Sequence, residues 1–204
     1  REVAFYGGSF TGLPEERQKQ LLLAVQPSIK SGEVHSIRVS THSLLVNPRN
    51  ISLLKNNNVK TVELGIQSTN DRVLQAVGRP CDFQTVKSAV DSIRKEGLGL
   101  GLQLMPGLPE DDETIFMKSV EDVIGLKPDF VRIYPTLVIK NTKLYEMYKL
   151  GEYLPWKLNR MVRLVKDALL AFQNENISVI RVGLHSDPSM LENFVDGPYH
   201  PAFK

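Results

Sequence analysis

Short apolar segments alternate with longer amphipathic segments along the chain. The first apolar segment, residues 3–6, carries no charge and ends in Gly7-Gly8-Ser9. An uncharged run of this kind is typical of a strand that is buried on both faces under helices. The pattern predicts six strands, at residues 3–6, 36–40, 59–66, 99–105, 130–134 and 177–182.

The segments between these strands predict helices. Pro14-Glu15-Glu16 and Pro48 mark helix starts, because proline and acidic side chains suit the first helical turn. Strands that alternate with helices predict a parallel sheet with right-handed crossovers, in an open sheet or a barrel. Two of the predicted helices begin at residues 14 and 48. The other four span residues 71–77, 83–96, 112–126 and 155–174.

Two features favour the barrel. Polar or glycine-containing segments follow every predicted strand, at the ends where barrel sites are built. In addition, no strand is followed by a complete dinucleotide fingerprint: Gly99 and Gly101 supply two glycines of GxGxxG, but Leu104 occupies the third position. A doubly wound nucleotide-binding sheet is the structural alternative.

The composition is that of an ordinary globular protein. The 204 residues are 42% hydrophobic and 24% charged, which suits one domain with a core. A net charge of +2 is too small to indicate nucleic acid or an anionic membrane as a partner. The sequence has no transmembrane-length apolar run and no signal-peptide pattern, so we expect a cytoplasmic protein.

The single cysteine limits metal chemistry. Cys81 alone excludes an internal disulfide and any multi-cysteine metal site made from this chain alone. The chain also begins with Arg1 rather than methionine, directly before a predicted core strand, so we expect a fragment.

Neutral hydrogen-bonding groups follow five of the predicted strands. In a parallel barrel these strand ends meet at one rim, where they suit a polar ligand better than the activation of water. The alternative is structural, because strand-end Ser and Thr often bond to nearby backbone and paired glycines often form tight turns. The rim groups are Gly7-Gly8-Ser9, Ser40-Thr41-His42, Gln67-Ser68, Gln103 with Pro106-Gly107, and Tyr134-Pro135-Thr136.

Hydrolytic chemistry is poorly supported. The four histidines show no metal-ligand spacing, and Ser9 lies in GGSF rather than in the GxSxG of a nucleophile elbow. The acidic run at 110–113 suits a solvated helix N-terminus. A basic stretch over 140–166 with interleaved aromatic residues suits either RNA phosphates or a solvated helix face. The histidines are His35, His42, His185 and His200.

Four motifs resemble the radical S-adenosylmethionine (SAM) enzymes: GGSF at 7–10, GIQS at 65–68, GLQLMPGLP at 101–109 and IYPTLVIKNTKLYEMYKLGEY at 133–153. The similarity extends over residues 3–182 and is closest to bacterial relatives of the elongator complex catalytic subunit. Oxygen-independent coproporphyrinogen oxidases are a more distant branch. The resemblance implies an α/β fold, a partial (β/α)6 TIM-like barrel that lacks its first strand and cluster loop. We expect one domain over residues 1–204, with 183–204 as a C-terminal extension.

The resemblance also implies a SAM site along the rim. Gly7, Gly8 and Ser9 match the family's glycine motif, whose backbone holds the methionine amino group. Arg79 resembles an arginine that pairs with the methionine carboxylate, with a surface arginine as the equal alternative. The other implied residues are Ser40 near the ribose, Gln67 at the GVQS-type strand end, Gln103 where the oxidase branch has an acid, Met105 behind the adenine and Lys140 as a rim cation.

Two departures limit what is carried over. The family's CxxxCxxC motif, whose three thiolates bind a 4Fe-4S cluster, is absent, so we expect the cluster cysteines upstream and no metal ligand in this fragment. Thr41-His42-Ser43 stands where close relatives have Thr-Arg-Pro, so the substrate contacts of that loop are not transferred. With GPYHPAF at 197–203 at the end of the chain, we expect no room for the elongator subunit's acetyltransferase domain.

We therefore expect the SAM-binding core of a radical SAM enzyme, inactive as a fragment. The full protein would use its 4Fe-4S cluster to cleave SAM and generate a 5′-deoxyadenosyl radical, with an electron donor such as flavodoxin or ferredoxin. The sequence does not identify its substrate; the resemblance offers transfer-RNA modification and a coproporphyrinogen-oxidase-like reaction as two examples. The alternatives are a non-catalytic barrel that binds RNA or a protein partner, and a nucleotide-binding enzyme unrelated to SAM.

Overall fold

A computed structural model of the chain describes residues 1–79, 81–184 and 188–201. Pro80, His185 and the last three residues of the predicted C-terminal extension lie outside the described residues. None of the helices in the described ranges combines the length and the apolar character needed to cross a membrane.

The strands of the described residues form two sheets. Six of them lie in one sheet, in the order β1-β2-β3-β4-β5-β7, and the remaining two pair antiparallel. The β1–β2, β2–β3 and β5–β7 pairs are parallel, as predicted. The strands are β1 (Glu2–Phe5), β2 (Ser36–Thr41), β3 (Val59–Gln67), β4 (Gly99–Leu104), β5 (Phe130–Ile133), β6 (Val138–Ile139), β7 (Ser178–Val182) and β8 (Phe194–Asp196).

Helices connect these strands, and most of the longer ones begin at a capping side chain. Asn47, Asp82 and Asp112 each accept a backbone N–H of the first turn, which satisfies a donor that has no partner within the helix. The helices of the described residues are α1 (Glu15–Lys30), α2 (Pro48–Asn56), α3 (Asp71–Ala76), α4 (Phe83–Lys95), α5 (Glu113–Gly125), α6 (Lys143–Lys149), α7 (Leu158–Asn174) and α8 (Pro188–Asn193).

The chain divides into two compact units. Unit 1 consists of Arg1–Ile66 and Cys81–Leu102, and unit 2 consists of Gln67–Pro80 and Gln103–Lys204. The core of unit 1 contains the fully buried side chains Leu22, Ile37, Val39, Ile51, Leu54, Val62, Leu64 and Ile93. The core of unit 2 contains Val73, Phe116, Val120, Val123, Val131, Ile133, Ala168 and Phe172.

Burial alternates along β2 and gives it two different faces. Ile37, Val39 and Thr41 are buried, whereas Arg38 and Ser40 between them are only half-buried. Because successive side chains of a strand point to opposite faces, β2 has one apolar face and one polar face. The polar face belongs to the candidate site described below.

The prediction that the first strand is buried on both faces is wrong. In the sheet formed by the described residues β1 is the first strand of the order, and its four residues are alternately exposed and half-buried. Tyr6, predicted as its last residue, lies beyond the strand and is 51% exposed. The absence of charge in residues 3–6 correctly indicated a strand, but burial depends on what packs on each face, which a local pattern does not encode.

Helix bounds follow the predictions with one informative shift. The helix predicted from residue 155 begins at Leu158, because Pro155 and Trp156 are buried and the chain is extended at Lys157. Four short strands and helices, β6, α6, α8 and β8, were not predicted, since segments of two to seven residues carry too few positions to define a periodicity.

Candidate functional site

In unit 1 the glycine pair has a backbone that ordinary residues rarely adopt. Gly7 has a φ of +99° and Gly8 a φ of +153°. A Cβ added to either glycine would have no described heavy atom within 4 Å outside its chain neighbours. The glycines are therefore required by conformation rather than by crowding, and they leave an exposed stretch of backbone directly after β1.

Ser9 directly follows the glycine pair in the sequence. Ser40 lies on β2, the strand that pairs with β1. Ser9 precedes a short 3-10 turn, and its carbonyl accepts the N–H of Gly12 at 2.9 Å while its side chain makes no capping bond. Ser40 is half-buried on the polar face of β2, in register with Glu63 of β3. Both hydroxyls lie in unit 1 with the glycine pair.

The neighbouring rim residues Thr41 and His42 have structural partners. The Thr41 hydroxyl lies 2.5 Å from that of Thr11, and both residues are buried. The His42 Nδ1 accepts the backbone N–H of Leu44 at 3.1 Å. These two residues fit the structural alternative given above for strand-end side chains.

A buried carboxylate on β3 contacts the polar face of β2. Glu63 of β3 has no exposed surface, and its Oε1 accepts the Tyr6 hydroxyl at 2.8 Å and the Arg38 Nη1 at 3.0 Å. Arg38 also contacts Glu2 of β1 through its other terminal nitrogen, at 2.5 Å. Burial of Arg38 lowers its pKa, but bonds to Glu63 and Glu2 outweigh this and raise the pKa overall. One arginine thus links two carboxylates on different strands.

This cluster was not predicted, although the sequence carries a signal for it. Glu63 is the only acid in the apolar strand segment VKTVELGI. A lone acid inside a buried strand needs a partner, because an uncompensated buried charge is costly. Arg38 alternates with the apolar residues of the preceding strand, and it is a cation that the sequence offers as the partner of Glu63.

In unit 2 the end of β3 has an unusual conformation at Gln67. Its φ is +68°, a value that non-glycine residues seldom adopt. Its carbonyl accepts the N–H of Met105 at 2.9 Å, which joins two of the predicted site residues directly. The Gln67 Oε1 is buried and has no hydrogen-bond partner among the described residues. This acceptor is therefore not satisfied by the described protein atoms.

The residues after Gln67 are fixed by a hydroxyl network on α5. The Ser119 hydroxyl accepts the Thr69 backbone N–H at 3.1 Å and lies 3.2 Å from the hydroxyls of Ser68 and Thr69. The Thr69 hydroxyl donates to Asp122 at 2.7 Å. Ser68, predicted as part of a ligand-binding rim, is buried in this network and supports the loop instead.

Ser119→Ala is expected to destabilise the protein by about 1–3 kcal/mol, because Thr69 N–H and the Ser68 hydroxyl lose their shared partner. The measurement is the free energy of unfolding in urea. Ser92→Ala is the matched control, since the Ser92 hydroxyl makes only an exposed bond within α4, and its effect should stay within about 0.5 kcal/mol. Equal values for the two variants would contradict the role of the network.

The loop Pro106-Gly107 after β4 is held from both sides. Gly107 donates its N–H to Asp111 Oδ2 at 2.9 Å, and its carbonyl accepts the buried Tyr153 hydroxyl at 2.6 Å. A Cβ at Gly107 would lie 3.2 Å from Met161 and 3.3 Å from Trp156, and its φ is +83°. Glycine is therefore needed here for conformation and for space. The loop fixes the position of the preceding residues Gln103 and Met105, both half-buried.

Asp111 carries the most perturbed carboxyl of this loop. Burial raises its pKa from the ordinary value to about 7, although the bond from Gly107 N–H acts in the opposite direction. Burial also raises the pKa of the Tyr153 hydroxyl. At neutral pH the Asp111 carboxyl is thus close to half protonation, whereas the sequence pattern placed it only in a solvated acidic run.

Asp111→Asn is expected to remove one contribution to the pH dependence of stability. Between pH 5 and pH 8 the Asp111 carboxyl is already ionised in the unfolded state, whereas the folded state loses its proton across this range. Wild-type stability therefore falls with rising pH by about 3 kcal/mol through this group. Urea unfolding at the two pH values measures the difference. Asp91→Asn, an exposed carboxylate on α4, should keep the wild-type dependence, and identical profiles for all three proteins would contradict this assignment.

Arg79 and Lys140 complete the predicted set in unit 2. Arg79 is half-buried rather than on an open surface, and its backbone N–H donates to the Leu74 carbonyl at 2.8 Å. Lys140 is exposed, and its Nζ lies 3.4 Å from the Glu192 carbonyl oxygen. The structure thus places four predicted residues (Gly7, Gly8, Ser9 and Ser40) in unit 1 and five (Gln67, Arg79, Gln103, Met105 and Lys140) in unit 2.

The basic and aromatic stretch of unit 2 has mostly internal partners. Lys149 pairs with Glu146 at 2.7 Å, and Arg160 pairs with Glu113 at 2.8 Å while it stacks over Trp156. Trp156 is buried, as is Tyr153 near it in the stretch. This arrangement fits the structural alternative better than an RNA-binding face. Across residues 1–79, 81–184 and 188–201, no three His, Cys, Asp or Glu side chains are grouped to hold a metal ion.

Comparison with protein families identifies the class. Residues 1–122 match the model of the radical SAM superfamily, and residues 128–204 match that of the radical SAM C-terminal domain. The chain therefore belongs to the radical SAM superfamily, as the four motifs indicated. Enzymes of this family bind SAM and a 4Fe-4S cluster.

Two curated proteins illustrate the branch. The "tRNA uridine(34) acetyltransferase" of Methanocaldococcus jannaschii is 34% identical over 110 residues, which are 52% of this chain and 20% of the relative. The "Elongator complex protein 3" of Mus musculus is 27% identical over 188 residues, 80% of this chain and 34% of the relative. The chain thus spans between a fifth and about a third of the length of these relatives.

Two solved structures share the fold. The archaeal Elp3 of Methanocaldococcus infernus, with its N-terminus deleted, superposes with a TM-score of 0.80 at 24% identity and covers 96% of this chain and 50% of that chain. Coproporphyrinogen III oxidase (HemN) from Escherichia coli gives 0.70 at 14% identity, over 85% of this chain and 40% of that chain. These likenesses confirm the predicted partial (β/α)6 barrel.

Proposed function

We propose that this chain is the SAM-binding core of a radical SAM enzyme. Membership of the superfamily supports the class, and the observation that carries the proposal for this chain is the open backbone at Gly7-Gly8. The wider parts of the proposal are a cytoplasmic protein, an electron donor such as flavodoxin or ferredoxin, and a substrate that is RNA or a coproporphyrinogen-like molecule.

The residues present fit SAM in each unit separately. In unit 1 the exposed backbone of Gly7 and Gly8 gives a small polar group access to main-chain hydrogen-bonding atoms. Here we assign the methionine end of SAM, with Ser9 alongside and Ser40 toward the ribose. The φ values of the glycines explain why a larger residue cannot simply replace them.

In unit 2 the buried Gln67 Oε1 provides an acceptor that suits an ammonium or hydroxyl donor. Arg79 suits the methionine carboxylate, because a guanidinium can hold a carboxylate through two hydrogen bonds. Met105, held by its bond to the Gln67 carbonyl, would pack on the adenine, with Gln103 and Lys140 as further polar contacts. The fixed Pro106-Gly107 loop would keep this wall rigid.

When bound, SAM and the cluster supply a one-electron cleavage that yields a 5′-deoxyadenosyl radical. The 204 residues contain one cysteine, which is buried, so three cluster thiolates do not come from them and we assign the cluster ligands to residues outside this sequence. The part of this chain is to bind and orient SAM and to limit water around it.

The experiment is calorimetric titration of the 204-residue chain with SAM, with ATP and free methionine as comparisons. A family SAM site should bind SAM more tightly than either, because only SAM carries both the methionine and the adenine groups. Gln67→Ala should weaken SAM binding, whereas Gln75→Ala, an exposed glutamine on α3, should not. Equal affinity for ATP and SAM would instead favour a nucleotide-binding protein unrelated to SAM.

A further inference from the structure

The exposed glycine pair of unit 1 lies in a loop whose two ends are held together. This loop, residues 6–9, connects β1 to the short 3-10 turn that follows and is called the glycine loop below. The rings of Phe5 and Phe10, directly before and after it, pack with 5.3 Å between their centroids, and Phe10 is buried. An aromatic pair at this distance is stabilising. Gly7 and Gly8 are therefore exposed on a loop that is closed at its base.

The first anchor of the glycine loop is the Tyr6 hydroxyl. Tyr6 directly precedes the glycine pair and donates to Oε1 of Glu63 at 2.8 Å. Glu63 has no exposed surface, and Nη1 of Arg38 donates to the same carboxylate oxygen at 3.0 Å. Hydrogen bonds to a carboxylate are among the stronger ones in proteins. The start of the exposed loop is thus fixed to a buried group on β3.

The second anchor lies directly after the loop, in the 3-10 turn. The Thr11 hydroxyl lies 2.5 Å from the Thr41 hydroxyl of β2, and both residues are buried. Gln18 of α1 is buried as well, and its Nε2 donates to the Leu13 carbonyl at 2.8 Å. The turn is therefore fixed to β2 and to α1, two other elements of the same unit.

These anchors matter because glycine has more backbone freedom than any other residue. A loop with two glycines that became ordered only when its ligand arrived would bind weakly, since the lost conformational entropy opposes association. A loop that is already ordered avoids this loss. Glu63 and Thr41 are buried, whereas the methionine end of SAM is assigned to the exposed backbone, so both residues act on the ligand through the loop.

We propose that Glu63 and Thr41 are positioning residues that order the glycine loop for the methionine end of SAM. Glu63 acts through the Tyr6 hydroxyl, and Thr41 acts through the Thr11 hydroxyl. The effect on SAM rests on the proposed function, whereas the ordering of the loop by these two residues does not.

The first test removes the Tyr6 hydroxyl and keeps the ring. In calorimetric titration of the 204-residue chain, Tyr6→Phe should weaken SAM binding about three- to tenfold, because the loop loses its bond to Glu63. The affinity for 5′-methylthioadenosine should not change, since this compound lacks the methionine amino and carboxyl groups. Equal weakening for both compounds would show a general structural effect and overturn the proposal.

Tyr148→Phe is the matched control for this variant. The Tyr148 hydroxyl makes a similar bond to a carboxylate, that of Asp196 at 3.0 Å, and both residues lie in unit 2. Tyr148 is half-buried and is not one of the nine residues predicted to bind SAM. Its substitution should change neither affinity.

The second test concerns Thr41 and the order of the loop itself. Thr41→Val removes the partner of the Thr11 hydroxyl and should weaken SAM binding severalfold, whereas Thr41→Ser keeps a hydroxyl and should restore most of the affinity. In the free protein, the ¹⁵N order parameters of Gly7 and Gly8 should be about 0.85 and should fall below about 0.6 when Tyr6→Phe and Thr41→Val are combined. Values within β2 and β3 should not change. A glycine pair that is flexible in the wild type, or equally rigid in the double variant, would overturn the proposal.

The outcomes separate this proposal from the SAM assignment. If the wild type does not bind SAM but the glycine pair loosens in the double variant, Glu63 and Thr41 keep their role in ordering the loop and the proposed function is wrong. If SAM binds and neither Tyr6→Phe nor Thr41→Val weakens it, the positioning role is wrong and the SAM assignment stands.

Discussion

Gly7→Ala is expected to weaken SAM binding about tenfold or more, equivalent to at least about 1.4 kcal/mol. The added Cβ meets no described protein atom within 4 Å, so it intrudes only on whatever approaches the exposed backbone. It also strains the chain, because φ at this position is +99°. The measurement is the dissociation constant for SAM by calorimetric titration.

A control must separate ligand exclusion from backbone strain. Gly32, also in unit 1, has a φ of +79°, and a Cβ added there would likewise meet no described heavy atom within 4 Å. Gly32 lies between α1 and β2, away from any predicted site residue. Gly32→Ala should therefore lose stability without losing SAM affinity. If both variants bind SAM equally well, the glycine pair is only a turn and the proposal for unit 1 is wrong.

Arg38→Met is expected to destabilise the protein by about 3–5 kcal/mol. The substitution removes a cation from Glu63, a carboxylate with no exposed surface, and leaves the buried charge with fewer compensating bonds. The apolar stem of methionine replaces most of the packing of the arginine stem, so the loss reports mainly on the charge. Urea unfolding at neutral pH gives the change in free energy.

Two comparisons sharpen this prediction. Arg49 pairs with Glu15 at 2.6 Å but is 80% exposed, so Arg49→Met should cost less than about 1 kcal/mol. The double variant Arg38→Met with Glu63→Gln should recover part of the loss, because the buried group is then neutral and still able to bond to Tyr6. A loss below about 1 kcal/mol for Arg38→Met would show that water already solvates Glu63.

The fold was largely predictable because strands and helices here leave strong local signals. The apolar segments at 59–66 and 99–105 and the helices predicted at 83–96 and 112–126 correspond closely to the observed elements. Burial was less predictable, as the exposed and half-buried residues of β1 show, because it depends on what packs against each face of a strand.

The sequence indicated which residue types could form the candidate site, and the ligand roles assigned to them stay predictions. The glycines at 7 and 8 and the Gln67 side chain have conformations that agree with a ligand-binding part. Ser68 and Thr41, chemically similar strand-end residues, have structural partners instead. Sequence cannot distinguish these cases, because a hydroxyl gives the same local signal whether its partner is a ligand or a distant helix. Asp111 was missed for the same reason, since its burial arises from tertiary packing.

The most direct test of the SAM assignment is hydrogen–deuterium exchange of the chain with and without saturating SAM. We predict slower exchange at the backbone amides of residues 7–9 and of the segment that follows Gln67, with little change in the exposed turn at Gly32. Unchanged exchange at residues 7–9 in a chain that binds SAM would contradict the assignment of the glycine pair.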